Sequence, residues 1–315
     1  MERREKQITR RQCLMLLAAA SAATLTPASS RGETDRKILR VAVSTDTLAG
    51  SNINDARAAY KVWITEMSRA AGQVTAAVVP EVFIPSDEMM REIRQGTVDC
   101  FGATALEFAR LADLLDPTFV VVQDYLADGM EYVLLVHNSS SYKKIADLRG
   151  GQVMSHLHRD MVLLPAWLGT TLAANNLPAA EHFFGSLSPR DKVNQVVLPV
   201  FFHRADGACL ARRSWETAVE LNPQLGRDLR PLAISPKVIP IAIGFRRNCN
   251  SEGRKLFIDS MQRIISQEAG KQVAALYQSS GFVVRPTSAM KGTLEMVHQF
   301  EQESAQHAHS LKGPS

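Results

Sequence analysis

The sequence predicts an α/β fold made of two similar lobes whose strand ends face one another across a crevice. Three observations carry that reading. From Ile38 to about Arg110 the chain runs β-α-β-α-β-α, an order that implies a parallel sheet covered by helices. A second stretch repeats the plan. Ser44 is followed fifty-five residues later by Asp99-Cys100-Phe101-Gly102, and Ser155 fifty-one residues later by Asp206-Gly207-Ala208-Cys209, each block closing a strand before a helix. Finally, 315 residues at 45% hydrophobic and 22% charged suffice to bury a core in each of two medium lobes.

The elements follow in order. Ile38–Ser44 alternates and is rich in β-branched residues, so it reads as the first strand. After a loop at Gly50, Asn54 caps a helix on which Tyr60, Trp63, Met67 and Ala70 recur at three-to-four spacing, ending at Gly72. Val74–Val79 is the second strand, closed by Pro80. Ser86 caps the next helix, with Asp87 and Glu88 in its first turn and Gly96 past its end. Val98–Gly102 is the third strand, and Thr104-Ala105-Leu106-Glu107 has the spacing of a capping box.

Strands are then expected at Phe119–Val122 and Tyr132–His137, followed by a polar break at Asn138–Tyr142. Lys143–Gly151 reads as a short helix, Gln152–Ser155 as a strand, and Arg159–Asn176 as a helix perturbed by Pro165. Ser188-Pro189 has the pattern of a helix start, with Pro at the first helical position. Residues 195–202 suit helix or strand. Ala205–Ala211 and Val238–Phe245 are strands, Ser251–Ala269 is an amphipathic helix, and Lys271–Gln278 is helical. After Gly292 the chain reads as a polar, His-bearing tail that frays.

Composition excludes several classes. It is unlike that of collagen-like, disordered or disulfide-framework proteins. The longest apolar run, Cys13–Thr26, is about fourteen residues, short of the roughly 20 that span a bilayer. It lies between a basic start and the small-residue segment Thr26–Ser30, the layout of a secretory signal peptide over residues 1–30. Thr9-Arg10-Arg11-Gln12-Cys13-Leu14 also resembles a twin-arginine export signal, with Cys13 where Phe is usual. Cleavage there predicts a periplasmic protein; an uncut N-terminal anchor is the other reading. The first thirty residues hold five basic and two acidic groups, so the formal charge falls from +4 to +1 without them. No basic stripe interleaved with aromatics remains, and nucleic acid is not an expected partner. Of the remaining cysteines, Cys100, Cys209 and Cys249, one pair is free to form a disulfide in an oxidising compartment; three unpaired thiols fit equally.

At this point Leu39–Ser44, Glu92-Ile93-Arg94-Gln95-Gly96-Thr97-Val98-Asp99-Cys100, Tyr142–Gly150, Pro165, Arg204–Ala208 and Gly281–Val284 stand in an order and spacing that resembles a family. The chain is similar to type II periplasmic solute-binding proteins, in the phosphonate-binding branch associated with ABC transporters, over about residues 38–285. The resemblance implies two three-layer α/β lobes with a ligand crevice between them. Residues 36–137 plus 238–285 would form lobe one and 138–237 lobe two, with 286–315 a C-terminal helix or tail. The hinge would lie near Val136–Ser141 and Pro236–Pro240. Helix N-termini aimed into the crevice suit an anion.

The same resemblance selects ligand candidates. Ser44, Thr45 and Asp46 follow the first strand, and Thr104 presents a helix start. In lobe two, Ser155-His156-Leu157-His158-Arg159 stands where the family carries a small, hydroxyl-rich phosphate loop. Ser155 is retained, whereas His156, His158 and Arg159 replace small hydroxyls; Arg159 suits a two-pronged contact with an oxyanion, and His158 can donate to it. These are equally well solvated loop residues. Ser188 would cap a helix pointing at the ligand. Asp206 resembles the family's acidic residue that receives a ligand ammonium, or else bonds backbone amides at a turn.

His156 and His158, with His182 and His203 in the same lobe, permit a metal reading, but no carboxylate or Cys stands at a known spacing and no metal or cofactor is expected. Gly-x-Ser-x-Gly, His-Glu-x-x-His and nucleotide-type phosphate loops are absent from the sequence. The expectation is a non-catalytic, monomeric, extracytoplasmic binding protein of an ABC transporter. It would capture a small anion such as a phosphonate or phosphate ester and dock on a permease in the inner membrane. A ligand-sensing module for a membrane signalling partner, or an enzyme on the same fold, are the alternatives.

Overall fold

The computed structural model describes residues 39–49, 52–71, 76–265, 267, 271 and 279–311. Residues 1–30, read above as a signal peptide, Gly50, Gly72 and all but the first residue of the predicted Lys271–Gln278 helix lie outside the described residues. Lobe one opens with β1 (Leu39–Ser44), a 3-10 turn (Thr45–Leu48) and α1 (Ile53–Ala71). Asn52, rather than Asn54, caps this helix, its side-chain oxygen accepting from the amides of Asn54 and Asp55. β2 (Ala76–Ile84) continues through Pro80 instead of stopping there. It is an edge strand, and its pairing jumps from Val41–Val78 to Val43–Phe83, an irregularity that accommodates a residue with no amide hydrogen. α2 (Ser86–Gln95) ends on Gly96 at φ 75°, as the Gly predicts, and is followed by β3 (Cys100–Thr104), α3 (Ala105–Arg110) and β4 (Phe119–Gln123).

β5 (Tyr132–His137) then joins a second sheet, pairing with later strands of lobe two. Its alternation shows that it is a strand; only its partners decide the sheet. The chain therefore crosses between sheets at residues 124–131 and 235–240, the first crossing falling before β5 and not at Val136–Ser141. β6 (Gln152–His156) leads through a 3-10 turn (Arg159–Met161) to α4 (Leu164–Ala174) and α5 (Ala180–Phe183). β7 (Ser186–Arg190) occupies the place where Ser188-Pro189 predicts a helix start. Pro fits both a first helical turn and an edge strand, and β7 lies at the edge. α6 (Val193–Phe201) resolves residues 195–202 as mainly helix, and β8 (Gly207–Ala211) follows. α7 (Arg212–Leu221), α8 (Pro223–Asp228) and β9 (Leu229–Ile234) complete lobe two.

The chain returns to lobe one with β10 (Ile241–Phe245), α9 (Ser251–Ile265) and β11 (Phe282–Pro286). Among the described residues the first sheet has the order β11-β4-β10-β3-β1-β2 and the second β7-β6-β8-β5-β9. β1 is parallel to β2 and β3, and β6 to β7 and β8, so the crossovers by α1, α2 and α4–α6 leave helices on the sheet faces. Period-two alternation sorts the core. Leu39 and Val41 face α1 and α9 with Trp63, Phe245 and Phe257, while Ala42 faces the opposite side with Phe101 and Phe108. In β5, Leu134 and Val136 join that larger core with Trp167, and Val133 and Leu135 pack under Val196, Leu210 and Trp215.

Of the helix or tail expected after residue 286, the helix forms, as α10 (Lys291–Leu311), and it is docked rather than frayed. It packs on α3 of lobe one and α4 of lobe two. Met296 and Val297 are buried, Phe300 lies against Gly169, and Arg110 meets Glu301 at 3.3 Å. Cys100, Cys209 and Cys249 are free thiols. No helix among the described residues is long and apolar enough to cross a membrane.

Candidate functional site

Parallel strands bring their carboxyl ends to one side of each sheet, where ligands of α/β proteins collect. In lobe one β1, β3 and β4 end at Ser44, Thr104 and Gln123; in lobe two β6, β7 and β8 end at His156, Arg190 and Ala211. The turn after β1 packs against the turn after β6. Where they meet, Arg159 reaches across from lobe two. Its side chain, in a residue only 8% exposed, donates to Gln123 Oε1 and, at 3.1 Å, to Tyr125 Oη, with Asp160 Oδ1 3.6 Å from its Nε. Tyr125 Oη in turn donates to the Asp160 carboxylate at 2.9 Å, and Tyr132 Oη donates to the Asp160 carbonyl at 2.6 Å. Burial first, and then the Asp160 charge, push the Tyr125 phenol up to about 12, so it stays a donor at neutral pH.

This cluster stands between two spaces of different character. On the lobe-one side a cavity of about 100 Å3 has Arg159 and Gln123 at its edge, Thr47 and Tyr60 in its wall, and apolar side chains elsewhere. On the lobe-two side a polar cleft of about 810 Å3 is lined by Tyr125, His158, Asp160, Asp191, Arg213 and Lys237, among others. A third, apolar groove of about 630 Å3 runs between α4, β7 and α10, beyond the Ser155–His158 loop.

The residues singled out in the sequence divide accordingly. Ser44 is fully buried; its Oγ accepts from the Asp46 amide at 3.1 Å, holding the turn that carries Thr45 and Asp46. Asp46 is exposed, and partial burial followed by the Glu107 and Asp87 carboxylates raises its pKa. Thr104 forms the predicted capping box with Glu107: its Oγ1 and amide both donate to Glu107 Oε2, at 2.9 and 2.7 Å. Ser155, His158 and Arg159 lie together at the end of β6. His158 Nδ1 accepts from the Asp160 amide at 3.3 Å. Burial outweighs Asp160 and holds its imidazole below the ordinary value, with Arg159 and Arg213 acting in the same direction. Its neighbour His156 is likewise lowered by burial, then by His158, and sets Nε2 3.3 Å from the Asp191 carbonyl.

Two candidates sit elsewhere. Ser188 lies within β7, paired with Met154, and caps no helix. Asp206 precedes β8, at the amino end of the strand, with the cleft at the other end. Its carboxylate accepts from the Gln152 amide at 2.8 Å and from Tyr142 Oη at 2.6 Å. Those donors make it a strand-start clamp, the turn-type role its position also allowed. Among the described residues no three His, Cys, Asp or Glu side chains gather as metal ligands; the His156 and His158 rings stack with centroids 5.3 Å apart, and the His137 and His203 rings lie tilted at 3.9 Å.

Comparison with known proteins decides the family. The model for the ABC transporter, phosphonate, periplasmic substrate-binding protein family matches residues 47–286, most of the chain. The chain belongs to this family. Its fold is shared by PhnD1 from Prochlorococcus marinus in complex with methylphosphonate, at 16% identity and TM-score 0.55 over 84% of this chain and 99% of that one. It is also shared by the binding-protein component of a phosphonate ABC transporter from Pseudomonas aeruginosa, at 14% identity and TM-score 0.54 over 86% and 88%. A Xanthomonas citri protein bound to ATP matches at 14% identity and TM-score 0.56 over 85% and 98%. No curated protein matches the sequence.

Within this two-lobed binding protein, sequence reasoning missed Gln123, Tyr125 and Asp160, and the start of α7. The break from the apolar run Phe119–Val122 to polar residues was the available signal for the first two. At α7, Ala211 offers no side-chain cap, and the first turn is Arg212-Arg213-Ser214 with no acid. Arg212 is neutralised by Glu131 and Glu216, both at 2.9 Å, whereas Arg213 lies over the Tyr125 ring at 4.6 Å. Basic groups at a helix N-terminus oppose its dipole, and an anion in the adjoining cleft relieves that opposition.

Proposed function

We propose that this family member captures a small phosphorus oxyanion, a phosphonate or phosphate ester, between its lobes and presents it to an inner-membrane ABC permease. Export by the leader at residues 1–30 would place it in the periplasm, and it performs no catalysis on its ligand. The observation that carries the reading is the Arg159 guanidinium, buried at the junction of the lobes, where it donates to Gln123 and Tyr125 and has the Asp160 carboxylate 3.6 Å from its Nε. A ligand oxyanion replacing Gln123 gains a charge-assisted, two-pronged contact that a neutral carbonyl cannot give. His158, Ser155 and the start of α7 stand on the lobe-two side of the bound anion, and the turn Thr45–Leu48 closes over it by rotation at residues 124–131 and 235–240.

Thermal melting tests this directly. Protein stripped of ligand by unfolding and refolding is melted with phosphonates, phosphate, phosphite, sulfonates and carboxylates. At a hundred times its dissociation constant a true ligand adds about 2.7 kcal/mol of stability, a shift of several degrees for a chain of this size. A phosphorus oxyanion is expected to give that shift; silence from all of them, with a shift from a carboxylate or sulfonate, rejects the ligand assignment.

A further inference from the structure

We infer that the ligand's carbon substituent is short and uncharged, because the space that Arg159 borders on lobe one is a small aromatic chamber without a carboxylate. The inference rests on the oxyanion reading above and adds the chemical class of the group attached to the anion. Val43, Trp63, Phe83 and Phe282 form much of the chamber wall, and Arg159 is its one charged residue among the described residues. A single water needs roughly 10–15 Å3 of such space, so about 100 Å3 has room for roughly seven to ten water-sized groups, enough for a short alkyl chain such as propyl and too little for a long one.

Charge decides against an aminoalkyl group in that space. An ammonium entering it leaves water for a wall that offers the Thr47 and Tyr60 hydroxyls but no carboxylate, and it approaches the guanidinium of Arg159, a charge of its own sign. The rings do not replace the missing carboxylate: Trp63 and Phe282 stack on one another at 5.2 Å, which covers a face of each. An alkyl group gains there what it loses in water, about fourfold in affinity per buried methylene. The larger cleft, in contrast, holds the carboxylates of Asp160 and Asp191. A ligand turned that way would show the reverse preference, so the two arrangements are separable by titration.

Isothermal titration of the ligand-stripped protein with inorganic phosphate, methylphosphonate, propylphosphonate and 2-aminoethylphosphonate provides the test. Affinity is expected to rise about 15-fold from methyl to propyl, with 2-aminoethylphosphonate at least tenfold weaker than propylphosphonate. In Val43→Phe, which fills the chamber, the propyl-to-methyl ratio is expected to fall towards one. The wild-type series stands alone if that variant does not fold. A flat chain-length series, or 2-aminoethylphosphonate binding as tightly as propylphosphonate, overturns the inference while leaving the oxyanion reading intact. Failure of all four compounds to bind overturns both.

Discussion

Asp206 does in the second sheet what Asp99 does in the first. Each precedes a central strand and accepts a backbone amide from the start of the neighbouring parallel strand: Asp99 takes the amide of Arg40, the second residue of β1, at 3.2 Å, and Asp206 takes that of Gln152, the first residue of β6, at 2.8 Å. The return bonds match as well, from the Asp99 amide to the Arg40 carbonyl at 2.9 Å and from the Asp206 amide to the Gln152 carbonyl at 2.8 Å. The short repeat in the sequence thus marks a pair of clamps that set the start of parallel pairing. They stand at the amino ends of their strands, away from the carboxyl ends that form the crevice.

Asp206→Asn is therefore expected to lower stability and leave ligand affinity unchanged. Hydrogen bonds to a charged group contribute about 1.5–3 kcal/mol each when buried; this carboxylate is half-buried, so a loss of about 1–2 kcal/mol is expected by urea titration. A tenfold loss of affinity with unchanged stability would return Asp206 to the site.

Arg159→Lys tests the anchor. A lysine ammonium is a point charge and cannot serve two oxygens in one plane as guanidinium does. Affinity for the best phosphorus oxyanion is expected to fall by about 1.5–3 kcal/mol, or ten- to a hundredfold. An unchanged dissociation constant would remove Arg159 from the ligand contacts.

Thr104→Ala should act on stability. Both the hydroxyl and the amide of Thr104 are committed to Glu107, so losing the cap is expected to cost about 0.5–2 kcal/mol. Calorimetric melting checks it. A variant as stable as the wild type but weaker in ligand binding would show that the hydroxyl serves the crevice.

Stability should decline as pH falls below about 6.5. Burial depresses the folded-state pKa of His156 and His158, with Asp160 opposing in both and Arg159 and Arg213 reinforcing at His158. The unfolded chain then binds protons first as pH drops, so the stability present above pH 6.5 is lost progressively through the folded values. The more exposed His137 is shifted the same way, by burial and then by His203. Melting between pH 7.5 and 5.5 should show the slope, and His156→Gln with His158→Asn should flatten it. A slope unchanged by the double substitution would assign it to other groups.

Gly169→Val probes the C-terminal helix. A Cβ at this position would lie 2.6 Å from the Phe300 ring, so the ring, or α10 with it, must move away from α4. A loss of about 1–3 kcal/mol is expected from overpacking. Truncation before Lys291 that leaves melting unchanged would show that α10 contributes nothing to the joint between lobes.

Much of the fold was legible because its signals are local. Gly96 at a left-handed C-cap, the Thr104–Glu107 box and the alternation of Leu39–Ser44 are each set within a few residues by sterics, hydrogen bonding and side-chain period. The same period identified β5 as a strand, and chain order with spacing identified the family. Tertiary structure alone decided the rest. Which sheet receives β5, whether Ser188-Pro189 begins a helix or an edge strand, and whether the polar segment after Gly292 frays or docks all depend on surfaces far away in sequence. The site shows the same division. The Ser155–Arg159 loop announced itself by composition, but Arg159 finds Gln123 thirty-six residues back only because a crossing segment folds the second sheet against the first. Local chemistry sets what a residue can bond; pairing over long distances sets what it meets.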